Sequence, residues 1–164
     1  MHTHHSRTAA AAPDALWQAA RDLRLSDTRT LGRLVRWRIP GLGRELTYGE
    51  LFRAYPFTVL DEGERHLLAG LCGRIWTLAR DYPRLDGPDS FARWAEPGTV
   101  RVLFGHWVEE TADGGAELVS EARVAPVDRS AAMRLRALWR LIGPFERLVG
   151  AEAIVAATAR SARG

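Results

Sequence analysis

The stretch that most constrains this chain is its last thirty or so residues, Ser130 to Arg160. Leu135, Leu138, Ile142, Phe145, Val149, Ala153 and Ala156 recur there at steps of three and four, which places them on one side of an α-helix. Arg134, Arg136, Arg140, Glu146 and Arg147 fall mostly elsewhere on the wheel. A helix this long is stable in water only along a large apolar surface. Pro144, in the middle of the stretch, removes one backbone donor and crowds the preceding turn, so a bend is expected at Gly143-Pro144. A long helix closing over a curved sheet leaves room for a pocket beneath it.

The preceding chain supplies strands for such a sheet. His2 to Ala10 reads as a first, edge strand of weak alternation. Ala12-Pro13-Asp14 opens a short helix ending near Arg24, with Leu16, Trp17, Ala20 and Leu23 on its apolar face. Ser26-Asp27 can cap a second helix that buries Leu31, Leu34, Val35 and Trp37, turns Arg29, Arg33 and Arg36 outward, and stops at Pro40-Gly41-Leu42-Gly43. Glu50 to Ala54 reads as one more helical turn, Phe57 to Asp61 as a strand, Glu62-Gly63 as a turn, and Arg65 to Leu78 as one strand or two broken at Gly73. After a loop, Asp89 or Ser90 caps a short helix from Phe91 to Ala95, stopped by Pro97-Gly98.

Thr99 to Glu110 gives the clearest alternation, with Val100, Val102, Phe104, His106 and Val108 on one face. Asp113-Gly114-Gly115 turns the chain back into Ala116–Val127, where Leu118, Ser120, Ala122 and Val124 share a face opposite Glu117, Val119, Glu121 and Arg123. Short connections favour antiparallel pairing, and helices at both ends of the strand block make the fold class α+β.

A chain of 164 residues is long enough for a single domain with its own core, here taken as residues 1–164 with 1–5 a frayed terminus. No apolar run reaches the roughly 18 to 20 residues of a membrane span, and Met1 to Pro13 lacks the apolar block of a secretory signal. Cys72, the only cysteine, excludes an internal disulfide or a several-thiolate zinc site, which fits a cytoplasmic protein. All 23 basic residues are arginine. A GC-rich genome accounts for that bias, and the alternative is an arginine surface for phosphates or anionic lipid. Acidic residues are interspersed and no basic block stands out, so no nucleic-acid partner is expected.

Four segments carry a resemblance: Ala11-Ala12-Pro13-Asp14-Ala15-Leu16-Trp17; Ser90-Phe91-Ala92-Arg93-Trp94-Ala95-Glu96-Pro97-Gly98; Leu118-Val119-Ser120-Glu121-Ala122-Arg123-Val124; and Leu138-Trp139-Arg140-Leu141-Ile142-Gly143-Pro144. With the element order they make the chain resemble the START-like, or helix-grip, superfamily, also called SRPBCC or polyketide-cyclase-like, and within it a bacterial subgroup of unassigned function. The resemblance covers nearly the whole chain. It implies a curved antiparallel sheet wrapped around a long C-terminal helix, with two short helices after the first strand. The superfamily includes lipid carriers, hormone receptors, aromatase/cyclases and chaperone-binding modules, so the fold alone selects no activity. Ala122 stands where the subgroup pattern has threonine, and His106 where it has an aromatic or apolar residue.

His106 is the residue of most chemical interest. In a pocket it either orients a ligand carbonyl or hydroxyl or acts as a general base. In a filled core it is a histidine hydrogen-bonded to a neighbour. A facing carboxylate, Glu146 or Glu121, would favour proton transfer, although Glu121 belongs on the outer face with Arg123, as a solvated charge ladder. The expected pocket lining is Cys72, Trp76, Trp94, Val102, Phe104, His106, Ser120, Trp139 and Ile142, with Trp139 and Trp94 foremost among the six tryptophans. Cys72 has no adjacent histidine or helix start, so a buried structural thiol is expected rather than a nucleophile. Gly41-Leu42-Gly43 lacks the third glycine of a dinucleotide loop, and no Gly-x-Ser-x-Gly is present. His2, His4 and His5 invite a metal reading but sit in the stretch taken as frayed, and no metal or other cofactor is expected. Three functions remain: a cofactor-free carrier of a hydrophobic or aromatic (lipid- or polyketide-like) molecule, a cyclase/aromatase using His106 for proton transfer, and a protein-interaction module presenting the arginine faces of the second or last helix. The oligomeric state is left open.

Overall fold

The computed structural model describes residues 1–28, 33, 43, 45–77 and 82–161, with 141–153 described by their backbone alone. Five strands form one antiparallel sheet: β1 (His2–Ala9), β2 (Thr58–Gly63), β3 (His66–Gly73), β4 (Val100–Glu110) and β5 (Ala116–Pro126). The described helices are α1 (Pro13–Arg21), α2 (Tyr48–Leu51), α3 (Pro88–Ala92) and α4 (Arg129–Ser161). The strand order is β1-β5-β4-β3-β2, so the first strand joins the last and the rest form a meander. β1 pairs with β5 from His2 opposite Arg123 to Ala9 opposite Ala116. This corrects the expectation of a frayed terminus, because residues 2–5 are part of the ladder.

Local chemistry explains most boundaries. Pro13 opens α1 and Asp14 lies in its first turn, where an anion meets the positive end of the helix. The α2 turn starts two residues earlier than the sequence pattern indicates, because Thr47 and Glu50 form a capping box: Glu50 N–H donates to Thr47 Oγ1 at 3.2 Å and Thr47 N–H donates to the Glu50 carboxylate at 2.8 Å. The β2–β3 turn falls at Glu64-Arg65, and Glu62-Gly63 belongs to β2 instead. β3 ends at Gly73, whose φ of +138° suits glycine. Gly87, not Asp89 or Ser90, caps α3, with Pro88 first in the helix. Asp128 accepts hydrogen bonds from Ala131 N–H at 2.7 Å and Gly98 N–H at 2.6 Å, capping α4 and tying its start to the turn before β4. The helix then runs through Gly143-Pro144 to Ser161. The second helix expected over Leu31, Leu34, Val35 and Trp37, with Arg29 and Arg36, lies outside the described residues.

The inner face of the sheet is read from the pairing. Val102 faces Val124, Phe104 faces Ala122, His106 faces Ser120 and Val108 faces Leu118 across β4 and β5. On β3 the same face carries Leu67, Ala69 and Leu71. Two apolar clusters form against it. One joins Leu16, Trp17 and Ala20 of α1 with Leu51, Phe52, Leu67, Leu118, Ile154 and Ala157. The other joins Leu71, Val100, Val102, Val124 and Leu135, with Trp76, Phe104 and Trp139 against it. The outer face is partly covered too. The Phe91 ring of α3 sits over Gly70, where an added Cβ would come within 2.6 Å of it.

Candidate functional site

The site lies in the first cluster, where β4 and β5 place a polar rung between apolar ones. His106 is 5% exposed, and Ser120 stands opposite it on β5. The early start of α2 brings Tyr48 over this rung. Its ring meets the His106 imidazole edge-on at 5.0 Å between centroids, and Phe52 closes the other approach at 4.6 Å. The Tyr48 hydroxyl shares a hydrogen bond with Ser120, while burial pushes its pKa above the ordinary tyrosine value.

Next to the rung is a cavity between α1, α2, the sheet and the last turns of α4. Trp17, Leu23, Tyr48, His106, Ser120 and Ile154 are among its walls, and it has about 20 Å³ open to a water-sized sphere. That is room for about one water molecule. The cavity surface is almost wholly apolar, yet among the described residues His106 Nε2 has no hydrogen-bond partner, and neither has the indole Nε1 of Trp17 nor, at the second cluster, that of Trp76. Burial lowers the His106 pKa from 6.5 to about 3, so the imidazole is neutral at neutral pH. A neutral imidazole and an indole N–H can hold a hydroxyl or a carbonyl. His5 extends the rung: it lies beside Ser120 on β1, and its Nε2 is buried and unpartnered as well.

The nine residues expected to line one pocket do not converge. His106 and Ser120 wall the cavity. Val102 belongs to the second cluster, with Trp76 and Trp139 packed against it, while Phe104 packs against both clusters and meets Phe52 at 5.5 Å between centroids. Cys72 pairs with Arg101 and therefore points to the outer face; burial there raises its thiol to about 12, so it is no nucleophile at neutral pH. Trp94 lies in the turn before β4 and donates through Nε1 to Thr99 Oγ1 at 2.9 Å, away from the cavity. The side chains of Ile142 and Glu146 lie outside the described residues. Glu121 is on the outer face, in contact with Arg123 and His2. Trp17 and Tyr48 were not among the expected site residues. Trp17 was legible only as helix packing, and the signal for Tyr48 was the Thr47-x-x-Glu50 capping box in front of it.

No protein-family profile and no curated protein matches the sequence. Among solved structures, a protein of Thermus thermophilus aligns with 99% of this chain and 98% of its own, at 10% identity and a TM-score of 0.40. A hypothetical protein of Helicobacter pylori aligns with 98% of this chain and 88% of its own, at 11% identity and a TM-score of 0.41. The Zhui aromatase/cyclase of Streptomyces sp. R1128 aligns with 99% of this chain and 94% of its own, at 16% identity and a TM-score of 0.34. No described helix is long and apolar enough to cross a membrane. The architecture stands on the strand order and the helix themselves: a first strand paired with the last, a meander between, and a long C-terminal helix against the inner face give this chain an α+β, helix-grip architecture.

Proposed function

We propose that this protein binds a small hydrophobic or aromatic molecule bearing one hydroxyl or carbonyl, in the space between α1, α2, the sheet and the end of α4. The observation that carries the reading is the Nε2 of His106, which has no partner among the described residues, beside an apolar cavity. A buried polar atom left without a partner costs about 1–3 kcal/mol, and a ligand that supplies the missing hydrogen bond recovers much of it. The space suffices for about one water, so a larger ligand enters by parting the helices from the sheet. Its cavity would then be occupied without any cofactor.

A cyclase-type proton transfer by His106 is less well supported. A base with a pKa of about 3 is far from the value near 7 that general-base catalysis favours, and no carboxylate is among the described residues around the cavity. Binding therefore ranks ahead of catalysis.

The test is a titration with 1-naphthol and naphthalene, which share one apolar body and differ by a hydroxyl. Wild-type protein is expected to bind naphthol about 5- to 10-fold more tightly, the size of one hydrogen bond. In His106→Leu the two affinities are expected to converge. Failure of either compound to bind, or a preference that survives His106→Leu, overturns the reading.

A further inference from the structure

The pairing of β1 with β5 places three metal-ligating side chains together on the outer face of the sheet. His4 stands directly opposite Glu121, and His2 lies two residues before it on the same side of β1. His2 Nε2 is 2.7 Å from Glu121 Oε1. One ligating atom from each of His2, His4 and Glu121 lies within 4.8 Å of the other two. Around a tetrahedral Zn²⁺ with bonds near 2.0–2.2 Å, donor atoms are about 3.3 Å apart. Turning exposed imidazoles closes that difference without moving the backbone. The His2 side chain is 55% exposed, whereas that of Glu121 is only 12% exposed and fixed in position by the strand.

We propose that His2, His4 and Glu121 form a divalent transition-metal site that takes Zn²⁺ and fastens the edge strand β1 to β5. Two imidazoles and one carboxylate are a donor set that zinc accepts, with water completing the coordination. Arg123 also contacts Glu121, and this contact and the one from His2 both fall on Oε1, which leaves Oε2 to a metal. The Arg123 cation is the chief opposing charge. It lies on β5 opposite His2, and its side chain, 64% exposed, can swing into solvent. Zinc bound here spans two strands that are far apart in sequence, so its binding energy adds to the stability of the ladder. An edge strand gains most from such a clamp, since only one of its sides is paired. The site is on the opposite face of the sheet from the cavity and does not depend on what the cavity holds.

The experiment is calorimetric titration of chelator-stripped full-length protein with ZnCl₂, alongside amide exchange of β1. One equivalent of Zn²⁺ is expected to bind, to raise the melting temperature and to slow exchange across residues 2–9. His4→Ala and Glu121→Gln are each expected to weaken binding tenfold or more while circular dichroism stays unchanged. His66→Gln, which removes an exposed histidine on β3 paired with Asp61, is expected to bind as wild type does. Absence of binding, unchanged affinity in both His4→Ala and Glu121→Gln, or equal loss in His66→Gln overturns the proposal.

Discussion

The inner face of the sheet supports two apolar clusters that share β3, β4 and α4, and among the described residues the cavity lies at one of them while aromatic rings crowd the other. Near the start of α4, Leu135 fits against Val100, Val102 and Val124, with Trp76, Phe104 and Trp139 packed around them. Near its end, Ile154 and Ala157 meet Trp17, Leu67 and Leu118 around a cavity and a polar rung. A single pair on β4 and β5 marks the change. Val102 opposite Val124 is apolar, whereas His106 opposite Ser120 is not. The helix is pinned at the filled end by Asp128, whose carboxyl is held below its ordinary range by the Ala131 and Gly98 N–H groups. The far end of α4 is tied as well, by Arg160 to the Asp22 carbonyl at 3.4 Å and to Asp27 at 3.7 Å, so the spare space lies beneath a helix held near both ends.

The sharpest way to break this comparison is to empty the filled end. Leu135 is 2% exposed, and Leu135→Ala removes its methyl groups from a well-packed site. The expected loss is about 2–5 kcal/mol in urea unfolding, with the larger end of that range applying if the neighbouring rings do not collapse into the gap. Ile154→Ala, at the cavity, is expected to cost less than Leu135→Ala, because part of its surroundings is already open. Equal losses at the two positions would show that the two ends are packed alike.

That contrast was only half visible in the sequence. The alternation of β4 put Val100, Val102, Phe104, His106 and Val108 on one face, and the pairing agrees, since a strand's period is a local property that neighbours cannot alter. The terminal helix was legible for the same reason. The lining was not. Cys72 was assigned to the pocket because an apolar run gives no face of its own, and burial on the outer face requires α3, which the chain brings over Gly70 only in three dimensions. Trp94 and Trp139 were assigned by size, but a large aromatic fills a core as readily as it lines a pocket. Tyr48 and Trp17 reach the site through helix placement, which no period in the sequence records.

A second test separates the two ends by pH. Folding holds the His106 pKa near 3 because burial disfavours the imidazolium, while the unfolded histidine titrates near 6.5. Between these values the unfolded chain binds more protons, so stability falls as pH is lowered through that window and rises as pH increases. From pH 7 to pH 5 the expected loss from this one group is about 2 kcal/mol, before the carboxylates begin to titrate. His106→Leu is expected to flatten the profile over that range, and Leu135→Ala to shift it down without changing its slope. A wild-type profile as flat as that of His106→Leu would mean that the imidazole is reached by solvent.

The smallest of these effects addresses the rung itself. Ser120→Ala removes the partner of the Tyr48 hydroxyl, which is buried against His106 and Phe52. Leaving that hydroxyl unpaired is expected to cost about 1–2 kcal/mol, and the double variant Ser120→Ala with Tyr48→Phe should recover much of the loss by removing both polar atoms. A ligand hydroxyl placed between His106 and Tyr48 would act in the same sense, so bound 1-naphthol is expected to narrow the gap between wild type and Ser120→Ala. Leu135→Ala is expected to show no such rescue, because it removes no hydrogen-bond partner; the unpartnered Trp76 Nε1 at that end is the same in both proteins. If the double variant is no more stable than Ser120→Ala alone, the Tyr48 hydroxyl has found water on its own, and the polar rung is wetter than the unpartnered His106 nitrogen implies.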